Sequence, residues 1–121
     1  MHHAANAYGA VAKQIASPRE LEASLLLKAA SRLQAISDGW DGKRSELSDA
    51  LLFNRKLWTV FLTAVTEKDH PLPPAIRQNV ANLGLFVMNQ TMSLLSDPRR
   101  EKLRSLITIN RELASGLLGR P

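Results

Sequence analysis

Apolar positions along the chain recur at helical spacing, and no segment alternates with period two for long enough to argue a strand. The series Leu47, Leu51, Asn54, Trp58, Phe61 and Val65 steps by 4, 3, 4, 3 and 4 residues, which is one seam along one helix face. Leu103, Leu106, Asn110, Leu113 and Leu117 step by 3, 4, 3 and 4 and make a second seam. Each seam contains an Asn followed by an Arg, as Asn54-Arg55 and Asn110-Arg111. Asn is a weak helix former, and a buried amide left unpaired costs about 1–3 kcal/mol. The two placements therefore predict satisfied amides. The ordinary form is a paired amide in the core, and the alternative is contact with a partner.

Breaks between the periodic segments are few. Ser17-Pro18-Arg19-Glu20 predicts a helix start, with Ser17 as N-cap, Pro18 in the first turn and Glu20 reaching back. Asp97-Pro98 predicts another, with an acidic cap at the positive end of the helix dipole. Pro73-Pro74 opens a third after the loop at 69–72, and Asp38-Gly39-Trp40-Asp41-Gly42 separates two helical patterns. The expectation is an all-α, single-domain bundle of about five helices over residues 1–121, near 4–16, 18–37, 45–67, 74–96 and 98–118.

The helix over 74–96 differs from the others, because no charged residue falls between Arg77 and Asp97. It carries two apolar stripes whose centres lie roughly 130° apart at 100° per residue. One is Ile76, Val80, Leu83, Val87 and Leu94, and the other is Ala81, Leu85, Met88, Met92 and Leu95. Two stripes ask for neighbours on two sides and predict the central helix of the bundle. A third line, Asn79, Asn82, Phe86 and Asn89, is polar but uncharged and is the candidate contact surface. Asn54, Arg55 and Trp58 form a second candidate patch. Uncharged amides can pair with a partner's backbone without the desolvation cost of a charge.

Composition narrows the chemistry. There is no cysteine, so disulfides and thiolate metal sites are excluded. His2 and His3 are terminal and His70 lies in a proline-bounded loop, so no helical His/carboxylate spacing builds a metal site; the six glycines are scattered and form no phosphate loop, and no Ser has a nearby His to activate it. No enzyme, metal or cofactor is expected. No apolar run reaches the length of a membrane span, and the first residues lack the pattern of a secretory signal, which points to the cytoplasm. The formal net charge of +5 admits acidic partners. The densest basic cluster, Arg99, Arg100, Lys102 and Arg104, is interrupted by Glu101 and has no aromatic beside it. A solvated helix face is its first reading, and an RNA contact is the alternative. The uncharged helix is also compatible with a homo-oligomer.

Several segments are long enough to compare with a known family. Ala16-Ser-Pro-Arg-Glu-Leu-Glu-Ala23, Ala50-Leu-Leu-Phe-Asn-Arg-Lys-Leu-Trp58, Ile76-Arg-Gln-Asn-Val-Ala-Asn-Leu-Gly84 and Ile109-Asn-Arg-Glu-Leu113 resemble the flagellar biosynthesis regulator FlaF family of alphaproteobacteria, as does the opening Ala5-Asn-Ala-Tyr-Gly9. The resemblance runs in order over nearly the whole chain. It implies a cytoplasmic, non-enzymatic factor that promotes flagellin production and export as a flagellin-binding, chaperone-like protein, acting with and against the flagellin regulator FlbT. It brings no catalytic residues. The alternatives are an RNA-binding regulator of flagellin message and an FlbT-binding adaptor that does not touch flagellin.

Overall fold

In the computed structural model, residues 18–67, 69 and 71–119 are described, and every regular element among them is helical. Four long helices carry the chain: α1 (Pro18–Asp38), α2 (Leu47–Val65), α3 (Pro74–Ser96) and α4 (Leu103–Leu117). The expected helix over 4–16 and the Ser17 cap lie outside the described residues, so the expectation of about five helices becomes four long ones.

Local chemistry explains most of the boundaries. Pro73 is extended (φ −57°, ψ 148°) and Pro74 occupies the first turn of α3, where a missing N–H costs nothing. The Pro73 carbonyl accepts the Arg77 N–H at 3.0 Å and starts the helix. The segment after Asp38 is not an open break. Gly39 donates to the Ala35 carbonyl and accepts from Lys43, giving a single helical turn (Trp40–Lys43) followed by a 3-10 turn (Arg44–Glu46). Trp40 packs against the core there, with the Arg44 guanidinium 5.5 Å from its ring centroid.

The start of α4 differs from the expectation. Asp97 does not cap it: no side-chain cap bond is made, Arg99 is extended, and Arg100–Lys102 form a 3-10 turn before the α-helix begins at Leu103. The Asp97 carboxylate instead accepts Arg99 Nε at 2.8 Å and Lys102 Nζ at 3.4 Å. Lys102 Nζ also donates to Ser93 Oγ at 2.8 Å and to the Asp97 carbonyl at 3.2 Å. A cation at the carboxyl end of α3 satisfies carbonyls the helix cannot use and complements its dipole. The Arg99 hydrogen bond is the main cause that holds the Asp97 carboxyl below its ordinary pKa, and Lys102 adds to it.

The four helices surround one core. α1 lies between α4 and α2, α3 packs on α2, and α3 meets α4 only loosely. Short connections make successive helices antiparallel. α1 buries Ala23, Ala29 and Ala30 beside Leu26, Leu33 and Ile36, so its neighbours can approach closely. α3 is therefore peripheral rather than central, which corrects the expectation drawn from its two stripes. Val80, Val87 and Leu94 are buried, but Leu85 and Met92 are each 64% exposed and Leu95 is 40% exposed. Absence of charge does not here mean burial. No described helix is long and apolar enough to cross a membrane.

Candidate partner-binding groove

Because α3 and α4 diverge, the bundle is left open along one side. The opening is a groove of about 990 Å³. Asn79, Asn82, Leu83 and Phe86 of α3 form one wall, and Glu101 with Arg104, Ser105, Thr108 and Ile109 of α4 forms the other. The α3 residues are spaced 3, 1 and 3, so they follow one face for about two turns. Phe86 is 44% exposed and Leu83 37% exposed, and these apolar side chains rise between the amides. Gln78 Nε2 donates to Asn82 Oδ1 at 3.1 Å, which occupies the amide oxygen and leaves the Asn82 NH₂ to donate elsewhere. Gln90 Nε2 donates to the Lys102 carbonyl at 3.1 Å and ties the helices together at the closed end of the groove.

A second cleft, of about 680 Å³, lies across the ridge of α4 between that helix and α1. It is lined by Gln34, Ser37, Arg100, Ile107 and Arg111 and shares Glu101, Arg104 and Thr108 with the groove. Three guanidinium groups thus meet one cleft, on a surface continuous with the apolar groove. Such a surface suits a partner segment with an apolar stripe and carboxylates beside it.

The residues expected to bind a partner separate into distinct places. Asn79, Asn82 and Phe86 come together in the groove. Asn89 is exposed on the same helix but does not line it. Arg55 is exposed on the outer side of α2, in a shallow depression with Leu52, Lys56, Thr59 and Val60. Asn54 and Trp58 are fully buried, so the second surface patch is corrected to a core network. Asn110 Nδ2 donates to Asn54 Oδ1 at 2.7 Å and, more weakly, to the Leu26 carbonyl at 3.4 Å. Trp58 Nε1 donates to Asn110 Oδ1 at 2.9 Å. One amide therefore links α1, α2 and α4, and the two seam asparagines pair with each other.

The basic cluster also divides. Arg99 and Lys102 are engaged by Asp97, while Arg100 and Arg104 turn to the cleft they share with Arg111. Sequence reasoning missed Leu83 as a wall residue and missed the whole α4 wall apart from Arg104. The available signal was Ile109, an apolar residue off the α4 seam. Phe53 stands apart from the core. It is half-buried on the outside of the α1–α2 pair, with the Arg32 guanidinium 5.1 Å and Lys28 Nζ 5.9 Å from its ring centroid.

No curated protein and no solved structure matches the chain. A family model does: that of the flagellar protein FlaF matches residues 4–117, a span that contains all four helices and both walls of the groove. The chain belongs to the FlaF family.

Proposed function

We propose that this protein is a cytoplasmic, non-enzymatic factor of flagellum assembly that holds an amphipathic helical segment of monomeric flagellin in the groove between α3 and α4. One observation carries the reading. Asn79, Asn82 and Phe86, an uncharged amphipathic line on α3, face the seam that the bundle leaves open. A helix laid in a groove is a recurrent mode of recognition, in which apolar anchors give affinity and flanking polar groups fix register. Phe86, Leu83 and Ile109 are the anchoring surface. Asn79 and Asn82 supply amides, and Arg104, with Arg100 and Arg111 across the ridge, meets carboxylates of the client. Holding flagellin this way keeps its assembly surface covered before export and couples the protein to flagellin supply, where FlbT acts in the opposite sense.

Calorimetric titration with monomeric flagellin tests the assignment. Phe86→Ala with Asn82→Ala should weaken binding at least about tenfold, a loss of about 1.4 kcal/mol. Both positions are exposed, so the helical circular dichroism should not change. Unchanged affinity in the folded double variant would place the site elsewhere. The RNA reading is less well supported, because two of its four cations are held by Asp97. An adaptor that binds only FlbT would leave flagellin unbound in the same titration and bind FlbT instead.

A further inference from the structure

The groove uses one side of α3, and another side of the same helix is also uncovered. Ala81, Leu85, Met88, Met92 and Leu95 step by 4, 3, 4 and 3, the spacing of a coiled-coil seam rather than of a broad helix face. Met88 is half-buried against the core, whereas Leu85, Met92 and Leu95 are exposed. α2 runs antiparallel beside this stripe. Leu62 packs on Gly84 near one end, and Leu51 and Leu95 line a common depression at the other. Leu52 of α2, next in the chain to Leu51, is 45% exposed. Thr59 and Thr63 donate their hydroxyls to the carbonyls of Arg55 and Thr59, each at 2.9 Å. With those hydroxyls satisfied within the helix, this part of α2 adds surface without an orphan polar group.

We propose that this face pairs with a second copy of the chain, α3 against α3 in antiparallel sense about Met88. Three observations select a copy of the chain as the occupant. First, a chain of net charge +5 repels itself, and the uncharged stretch of α3 from Gln78 to Ser96 is where two copies can meet without like charges opposed. Second, the stripe is self-complementary about its centre. Ala81 and Leu95 lie seven residues to either side of Met88, and Leu85 and Met92 lie three and four. A two-fold axis at Met88 sets the small Ala81 against the large Leu95 and Leu85 against Met92, as an isologous interface requires. Third, one helix pair alone falls short of the roughly 800 Å² per partner of a standard interface, and the α2 surface beside it widens the contact toward that size.

Because the chain has no cysteine, single introduced thiols report the geometry directly. The full chain is followed by sedimentation from about 1 to 200 μM, a range in which mass action moves a modest dimer from monomer to dimer. The expected result is a mass that doubles across this range, with the Leu85→Glu, Met92→Glu double variant monomeric throughout and still helical. Under oxidation, Met88→Cys should crosslink to itself. Ala81→Cys should crosslink to Leu95→Cys and not to itself. A wild-type chain that stays monomeric, a dimer that survives the double variant, or self-crosslinking of Ala81→Cys in preference to Met88→Cys would overturn the proposal. The flagellin titration does not depend on the outcome, since the groove and the seam share no lining residue.

Discussion

At the scale of single residues, the most consequential side chain is Asn110. Its amide accepts from Trp58, donates to Asn54 and reaches the Leu26 carbonyl, all in the interior. Asn110→Ala strands the Trp58 N–H and removes Asn54's partner, so unfolding in urea should show a loss of about 3 kcal/mol. Asn54 occupies a weaker place, because its own Nδ2 is buried and finds no partner. Asn54→Leu removes that orphan donor and leaves Asn110 its carbonyl contact. It should therefore cost no more than about 1 kcal/mol, well under the Asn110→Ala loss. Equal losses at the two positions would show that Asn110 is not the hub. Asp97 makes a smaller, pH-dependent contribution. Its folded pKa is depressed by Arg99 and Lys102, so its stabilisation is present above the unfolded value of about 3.9 and fades as pH falls through the folded value. Asp97→Asn should thus lower the melting temperature slightly at about pH 7, and the difference should shrink as pH falls below the ordinary carboxylate range. Both seam asparagines were visible in the sequence as polar residues at apolar positions. Their pairing was not, because two amides 56 residues apart meet only after α2 and α4 are placed on α1.

The helical elements follow from periodicity with little ambiguity, but their ranks in the bundle do not. Pro74 and Ser96 bound α3 where turn chemistry put them, while the start of α4 shifted because Asp97 found stronger partners than the helix amides. The placement of α3 was misjudged for a physical reason. Its second stripe was counted as core, yet α4 packs chiefly on α1 and leaves α3 in close contact only with α2. Close approach of α2 and α3 depends on Gly84. A Cβ there would lie 2.7–2.8 Å from Leu62 Cδ1 and Cγ. Helix propensity alone favours alanine over glycine by about 1 kcal/mol. The clash should reverse that sign, so Gly84→Ala is expected to destabilise the chain by about 1–2 kcal/mol in urea unfolding. In a Leu62→Ala background the same change should stabilise, because the obstructing side chain is gone. Stabilisation by Gly84→Ala alone would show that the two helices have slack where the structure has contact.

For the whole molecule, the governing fact is that four helices enclose one core without closing their fourth seam. The exposed apolar and amide groups of α3 then belong to two surfaces, one facing the α4 groove and one running along the α2 side. Only the α3 line of the groove was legible beforehand. The α4 wall needed the antiparallel pairing of α3 and α4 to bring Ser105 and Ile109 opposite Phe86 and Asn79, and no pattern within one helix encodes that. Family membership gives the flagellar setting, and the groove supplies a physical means of acting in it. Hydrogen exchange of the chain with and without monomeric flagellin tests this most directly. Protection concentrated in residues 79–86 and 101–109 is the predicted result. No protection by flagellin, or protection confined to the Leu85–Leu95 stripe and residues 52–63 of α2, would contradict the assignment of the groove.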